Sequence, residues 1–172
     1  MAVFDIILAP DPILKTPTTP VAAVDDRVRR LMADMLETMY AAPGIGLAAP
    51  QVGSLDRVLV CDVSGKDEDP RPLKLANPTI TWQSDVVVTG QEGCLSFPDH
   101  YADVARPQAV RVAYLDETGA EQEIEADGLL ARCLQHEIDH LDGVVFTDHL
   151  SALKRNIILR KMGKLKRTRR AA

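Results

Sequence analysis

The segment QHEIDH, residues 135–140, restricts the possible folds of this chain more than any other segment. It places His136 and His140 four residues apart around Glu137, a spacing that puts both imidazoles on one face of a helix, one turn apart. Such histidines can be ordinary hydrogen-bonded core residues, but a glutamate buried beside them favours a bound cation. The segment therefore predicts a helix that supplies two ligands to a metal ion, with a third ligand from elsewhere in the chain.

The helix around this segment is predicted to span residues 128–141. Asp127 is its expected N-cap, and Gly143 lies just beyond its end. An apolar stripe adjoins the face that carries the histidines, and it consists of Leu130, Leu134, Ile138 and Leu141. A helix with this much apolar surface is mostly buried, so we expect the histidines to point into the protein.

Several side chains are candidates for the third ligand. In zinc proteases with the same histidine spacing the third ligand lies downstream of the helix, which favours Asp148 and His149. The other candidates are scattered carboxylates, a histidine and the cysteines: His100, Cys61, Cys94 and Cys133. An odd number of cysteines in a chain without a secretion signal argues against a disulfide framework, and it leaves core thiols or a metal-bound thiolate.

Length and composition predict a single domain. The chain has 172 residues, 46% of them hydrophobic, which is sufficient to form one core, and we expect residues 1–172 to form one domain. The sequence contains no apolar run of the length that spans a bilayer, and its first residues lack the basic and apolar regions of a signal peptide. These features predict a soluble, cytoplasmic protein with no membrane partner.

The apolar pattern between residues 57 and 126 is that of β-strands. Strands are predicted at 57–63, 73–82, 85–93, 109–116 and 121–126. No helical pattern separates them, so antiparallel pairing is favoured over parallel crossover units. The predicted class is α+β, with antiparallel sheets packed around the helix that carries the metal motif.

Two further helices and a proline-rich arm complete the predicted organisation. A helix is expected to begin at Asp25 or Asp26 and to end before Pro43 and Gly44, and another begins near Leu150. The proline-rich residues 9–21 are predicted to form an extended arm on the surface of the domain.

Three segments, taken together and in this order, resemble peptide deformylase: GIGLAAPQ (44–51), EGCLS (92–96) and QHEIDH. The resemblance covers the chain from the PDP segment at residues 10–12 to the end of the histidine helix. It implies a bacterial enzyme that removes the formyl group from the N-terminal formyl-methionine of nascent polypeptides and releases formate. It also implies one divalent metal ion per chain, with Cys94, His136 and His140 as ligands. Fe²⁺ is the expected metal, and Zn²⁺, Ni²⁺ and Co²⁺ would also fit these ligands.

The resemblance also assigns catalytic roles. A divalent metal lowers the pKa of bound water, so that hydroxide attacks the formyl carbon. Glu137 takes the proton from this water and delivers it to the departing amine. The Gln51 side-chain amide and the Leu95 backbone N–H are implied as donors to the oxyanion.

Substrate-binding and orienting residues follow from the same resemblance. The main chain at Ile45 and Gly46 is implied to pair with the extended substrate. The apolar methionine pocket is expected to be lined by Ile45, Leu129, Cys133 and His136. Glu92 and Gln135 are expected to orient the ligand loop and the helix.

This chain departs from many bacterial deformylases in the loop predicted after EGCLS. Where those have an arginine able to meet the peptide, it has His100 and Tyr101, and Arg132 is a candidate to replace part of that contact. Catalysis is unaffected, whereas peptide affinity and preference depend on these residues.

Charge is distributed unevenly along the chain. The segment from Lys154 onward carries nine Lys or Arg residues and no acid, whereas the rest has 11 basic residues against 25 acidic ones. The acidic body is not expected to attract nucleic acid, and no DNA partner is expected, but the basic tail, about 164–172, could attract it. The resemblance to bacterial deformylases makes ribosomal RNA the candidate partner of this tail. A solvated helix whose cations favour its C-terminus is the alternative interpretation of the tail.

Two other functions are compatible with the motifs. One is a metalloprotease that cuts internal peptide bonds and has its third ligand downstream of the helix. The other is a non-catalytic relative in which the metal is structural and the protein binds ribosomes or peptides.

Overall fold

A mixed architecture of three helices and seven strands is formed by residues 2–171, the part of the chain described by this computed structural model. The helices are α1 (Asp26–Ala41), α2 (Gly128–Leu141) and α3 (Ala152–Ala171). The strands are β1 (Gly46–Ala48), β2 (Val58–Cys61), β3 (Leu73–Gln83), β4 (Val87–Cys94), β5 (Phe97–Pro107), β6 (Ala109–Leu115) and β7 (Glu121–Asp127). Within residues 2–171, none of the helices has the length and apolar character needed to cross a bilayer.

The strands form two antiparallel sheets. One has five strands in the order β1-β2-β3-β6-β7, and the other consists of β4 and β5 alone. The five predicted strand regions are each occupied by a strand, and the predicted antiparallel pairing is confirmed. The α+β class with sheets around the histidine helix is therefore confirmed.

Residues 97–107, predicted to be a loop, form the strand β5. This prediction was wrong because the segment begins and ends near prolines and carries polar residues at most of its exposed positions. The strand is stabilised by pairing with β4, from Val87 opposite Pro107 to Gly93 opposite Tyr101 and, after an irregularity, Cys94 opposite Phe97. Pairing of this kind is a non-local interaction, so strand propensity underestimates it.

The proline-rich arm is not simply extended on the surface. Asp11 caps a 3₁₀ turn at Pro12–Lys15, and Leu14 within that turn is only 2% exposed. The backbone N–H of Thr18 donates to the carbonyl of Leu141, 2.8 Å away. The arm thus packs into the interior and is attached to the end of α2, which corrects the prediction.

The helix α1 forms where its caps and apolar spacing predict it. Asp25 accepts a hydrogen bond from the backbone N–H of Val28 at 3.0 Å, as an N-cap does. Its methionines Met32, Met35 and Met39 are fully buried. They pack beside β1 and β2, and this contact places the segment that follows α1 against the site described below.

The helix α2 lies between the two sheets. Its apolar stripe, Leu134, Ile138 and Leu141, is buried against side chains of the five-stranded sheet. Its other side contacts β5. Asp127 stands at the N-cap position without a side-chain hydrogen bond to the helix. The predicted boundaries of α2 are confirmed, and its histidines are brought between the sheets.

Candidate metal centre

Cys94, His136 and His140 converge at the point where α2 meets the end of β4. Their donor atoms all lie within 4.8 Å of one another. The Cys94 Sγ is 3.3 Å from the His140 Nε2, and the two imidazole centroids are 5.0 Å apart. Within residues 2–171 this is the only group of three or more His, Cys, Asp or Glu side chains placed so that they could hold a metal ion.

The downstream candidates for the third ligand lie elsewhere. Asp148 pairs with Lys15, and the Nε2 of His149 is 2.8 Å from the Asp139 Oδ2. Of the candidates for the third donor, it is Cys94, upstream of α2, that lies beside the two histidines.

The electrostatics of the site fit a bound cation. Burial lowers the pKa of His140 well below its usual value, and the neutral imidazole is the form that binds metals. Burial also lowers the pKa of His136, but hydrogen bonds with Cys94 and Glu92 and the charge of Glu137 raise it well above its usual value. Anionic groups therefore surround this position and favour positive charge there, and a set of one thiolate and two imidazoles suits a divalent transition metal.

Glu92 orients His136. Its Oε1 is 2.9 Å from the His136 Nδ1, so the ring presents Nε2 to the site. The same carboxylate is held by Arg106, whose Nε and Nη2 donate at 2.5 and 2.9 Å, while the Arg106 Nη1 donates to Asp139 at 2.9 Å. Burial alone would raise the pKa of Glu92, but Arg106 and His136 outweigh it and lower that pKa to about 2. The carboxylate is thus a permanent anion behind the histidine.

Replacing Arg106 with leucine should destabilise the fold strongly. Arg106 and Glu92 have side chains only 5% and 4% exposed, so the substitution leaves a buried carboxylate without its main partner. Loss of one member of a buried ion pair costs about 3–5 kcal/mol. Urea unfolding should show this decrease, whereas Arg71→Leu, which removes a largely exposed partner of Glu68, should change the free energy of unfolding by less than about 1 kcal/mol. Equal stability of the two variants would contradict the role of Arg106.

Glu137 lies beside the donors without joining them. Its side chain is buried, its Oε2 makes no hydrogen bond within the described residues, and its Oε1 is 3.9 Å from the His136 Nε2. Burial raises the pKa of this carboxyl to about 7. A carboxyl group with a pKa near 7 can exchange a proton efficiently at neutral pH.

Gln51 is fixed so that its amide nitrogen points towards Cys94. Its Oε1 accepts from the backbone N–H of Ala48 at 3.0 Å, and its Nε2 is 3.5 Å from the Cys94 Sγ and 3.1 Å from the Ser96 Oγ. Ser96 is fully buried and was not singled out in the sequence, although it belongs to the EGCLS segment. Leu95 lies between Cys94 and Ser96 in the sequence, in the turn that joins β4 to β5.

An open cavity of about 1010 Å³ lies over the donors. Residues of the approach to β1, of β4 and of α2 line it, including Ile45, Gly46, Leu129, Cys133, His136 and Glu137. Ile45 and Leu129 are about half exposed at its rim, whereas Cys133 is buried. The residues predicted to bind substrate thus share one cavity with the donors.

Gln135 and Arg132 both connect α2 to the sheet of β4 and β5. The Gln135 amide donates to the carbonyl of Pro107 at 3.0 Å and does not line the cavity, so it links α2 to the end of β5. The Arg132 guanidinium lines the cavity, but it is engaged with Glu92 and the β4–β5 backbone. Tyr101, in contrast, is 63% exposed at the cavity wall and free to meet a ligand.

An open cleft over a Cys-His-His donor set, with a buried glutamate beside it, is typical of metal-dependent hydrolases. The model of the polypeptide deformylase family matches residues 3–156. The chain belongs to the peptide deformylase family of metal-dependent enzymes.

Relatives and solved structures agree with this assignment. The chain is 52% identical to a peptide deformylase from Rhizobium meliloti (strain 1021), over 99% of this chain and 98% of the relative. It is 56% identical to one from Methylocella silvestris, over 92% and 83%. The crystal structure of peptide deformylase from Ehrlichia chaffeensis superposes with a TM-score of 0.93 at 44% identity, covering 97% of this chain and 98% of that chain. A second structure of the Ehrlichia enzyme, in complex with actinonin, matches equally well, with a TM-score of 0.93.

Proposed function

We propose that this enzyme removes the formyl group from the N-terminal formyl-methionine of nascent polypeptides and releases formate. The observation that carries the proposal is the convergence of Cys94, His136 and His140 beneath an open cavity, with the buried carboxylate of Glu137 beside them, whose Oε2 makes no hydrogen bond within residues 2–171. Family membership supports the reaction class, and we further propose that residues 1–172 act as one catalytic domain. The related Ehrlichia enzyme forms a complex with actinonin, which supports a ligand-binding site in a protein of this fold.

One divalent ion would be held by the Cys94 thiolate and the imidazoles of His136 and His140. We propose Fe²⁺, with Zn²⁺, Ni²⁺ and Co²⁺ as substitutes, because one soft and two borderline donors accept all of them. When bound, the ion lowers the pKa of water and polarises the formyl oxygen.

Proton transfer is the role of Glu137. Its carboxylate takes a proton from the water that attacks the formyl carbon, and it delivers this proton to the amine as the C–N bond breaks. The products are formate and a peptide with a free N-terminal amine. The Gln51 Nε2 and the Leu95 backbone N–H donate to the developing oxyanion, and Ser96 and Ala48 keep the Gln51 amide in this orientation.

The substrate would lie along the cavity wall formed by the approach to β1. The backbone at Ile45 and Gly46 would pair with the extended peptide, as an added strand does. The methionine side chain would enter the part of the cavity lined by Ile45, Leu129, Cys133 and His136.

Replacing Gly46 with alanine should lower kcat while the fold is retained. A Cβ at this position would lie 2.7 Å from the Glu137 Oε1 and 2.8 Å from the Cys133 Sγ, so the carboxylate must move. A misplacement of about 1 Å costs roughly 100-fold in rate. The matched control is Gly163→Ala, whose nearest neighbour is the tip of Arg167 at 3.7 Å and which should keep full activity. Unchanged kcat for Gly46→Ala would show that Glu137 tolerates displacement.

The proposed reaction is tested by measuring formate release from formyl-Met-Ala-Ser with anaerobically purified, iron- or cobalt-loaded protein. Rapid release from this peptide, and none from the acetylated peptide, is expected. Cleavage of internal peptide bonds would favour the metalloprotease alternative, and a fully metallated but inert protein would favour the non-catalytic one.

We further propose that the basic tail contacts ribosomal RNA, which would place the enzyme at ribosomes in the bacterial cytoplasm. The exposed cations Lys164, Arg167, Arg169 and Arg170 support this, since they lie on one terminal segment of α3. Lys166 is left out of this set because its Nζ already bonds to Asp11 and to the carbonyl of Pro10, each at 3.1 Å.

Replacing Lys164 and Arg167 with glutamate should weaken ribosome co-sedimentation, most strongly at low salt, and spare turnover of a short formyl peptide. Point substitutions are preferred to deletion of residues 164–172, because Leu165 packs against the interior. Exposed charges can be reversed without loss of buried contacts. Co-sedimentation equal to that of the unaltered protein at low salt would exclude the tail as a ribosome contact.

A further inference from the structure

The metal donors come from two parts of the fold that share no strand pairing. His136 and His140 belong to α2, whereas Cys94 ends β4. Within residues 2–171, β4 pairs only with β5, and neither strand joins the five-stranded sheet. Besides the Gln51 contacts with Cys94 and Ser96, the position of Cys94 relative to the histidines therefore depends on contacts between α2 and the β4–β5 sheet.

Arg132 makes a large share of these contacts with a single guanidinium. From its position on α2, the Nη2 donates to the carbonyl of Val88 on β4 at 2.8 Å, and the Nη1 donates to the carbonyl of Val104 on β5 at 2.8 Å. The Nη1 also lies 2.8 Å from the Oε2 of Glu92. One side chain of the helix thus binds both strands of the sheet that carries Cys94.

The backbone of β4 is shaped to receive this guanidinium. A Cβ at Gly90 would lie 3.1 Å from the Cζ and the Nη2 of Arg132, closer than a side chain ordinarily packs. The guanidinium therefore rests directly on the main chain of Gly90. This close approach explains why a glycine stands in the middle of a strand, where it is otherwise unfavourable.

The same guanidinium holds the carboxylate that orients His136. The Glu92 Oε1 accepts from His136, and its Oε2 accepts from both Arg106 and Arg132. Arg106 belongs to β5 and Arg132 to α2, so the Glu92 carboxylate is hydrogen-bonded by one residue of the sheet and one of the helix. Movement of Arg132 would therefore be transmitted to His136 as well as to β4.

We propose that Arg132 is a positioning residue of the metal centre, which sets the placement of Cys94 relative to His136 and His140. This inference rests on the metal site proposed above. It replaces the expectation that Arg132 meets the substrate peptide, because both terminal nitrogens of its guanidinium are occupied by protein acceptors.

The test compares Co²⁺-loaded Arg132→Leu and Arg132→Lys with the unaltered protein. Two readouts are used: the Co²⁺ absorption spectrum, which reports thiolate coordination and geometry, and the rate of Co²⁺ loss to a chelator. Partners behind metal ligands typically change metal affinity by 10–100-fold, so we expect roughly tenfold faster loss and a shifted spectrum for Arg132→Leu. Arg132→Lys retains the cation and should recover part of both properties.

Arg57→Leu is the matched control. Arg57 has a side chain 16% exposed, against 15% for Arg132, and it likewise bonds a backbone carbonyl and a carboxylate, those of Pro78 and Asp142. It should lose stability while keeping the spectrum and the rate of metal loss of the unaltered protein. A general effect of stability on metal binding would instead change both properties in this variant as well.

Two outcomes would overturn the inference. One is an Arg132→Leu protein whose Co²⁺ spectrum and rate of Co²⁺ loss are unchanged. Should this variant fail to fold, unchanged values in both single variants, Arg132→Lys and Gly90→Ala, would overturn the inference equally. The other is an equal change in Arg57→Leu. Absence of a thiolate-to-cobalt band in the unaltered protein would contradict the metal site itself, so the two failures are distinguishable.

Discussion

Replacing Cys94 with serine will abolish stoichiometric metal binding. The Cys94 Sγ is 3.3 Å from the His140 Nε2, and the thiolate is the only anionic donor in the set. A serine hydroxyl is a hard, neutral donor that binds transition metals poorly. Because loss of partners behind the ligands already costs up to about 100-fold in affinity, loss of the ligand itself should exceed that value. Metal content after gel filtration, and the thiolate-to-cobalt absorption band, measure the effect directly.

Cys61→Ala is the control for this prediction. Cys61 is a fully buried thiol in β2 and lies outside the donor set, so the variant should retain one metal ion per chain. Its stability should fall only by the cost of a small cavity, about 1 kcal/mol. If Cys94→Ser retained full metal stoichiometry and affinity, the third ligand would lie elsewhere, as the metalloprotease alternative requires.

Replacing Glu137 with glutamine will retain the metal and lose turnover. The amide has nearly the same shape as the carboxylate but can neither take nor return the proton, and a general acid–base residue contributes roughly 10²–10⁴-fold to rate. The protein should be as stable as before or more stable, because Oε2 of Glu137 is buried without a hydrogen-bond partner in the described residues. On one preparation, steady-state formate release measures turnover, metal analysis measures retention of the ion, and urea unfolding measures stability.

Glu123→Gln is the matched control, since Glu123 lies exposed on β7 and belongs neither to the donor set nor to the cavity lining. This variant should keep its metal and its turnover. Full activity of Glu137→Gln would require another proton acceptor and would overturn the proposed mechanism. Loss of metal along with activity would instead show that Glu137 supports the ligands.

The sequence by itself determined the elements whose signals are local. The range and orientation of α2 followed from a helical apolar pattern within fourteen residues, bounded by Asp127 and Gly143. The boundaries of α1 followed in the same way from its cap at Asp25. The histidine pair was part of one of these patterns, so its placement inside the protein was predictable.

The third metal ligand could not be predicted from a local sequence pattern alone. Cys94 and His140 are 46 positions apart, and spacing alone left several candidates for the third donor. Only the resemblance carried by three separate motifs pointed to Cys94. The structure then brought the three donors together and placed Asp148 and His149 elsewhere.

The tertiary structure alone decided the strand β5, the burial of the proline-rich arm and the side chains behind the metal donors. Residues 97–107 become a strand because they pair with β4. Leu14 is buried because the arm packs into the interior. Arg106, Arg132 and Ser96 acquire their roles from partners that are distant in sequence, such as Glu92, Val88 and Gln51. Periodicity and capping report interactions within one turn or one hairpin, whereas these contacts exist only after α2 and the β4–β5 sheet have packed together.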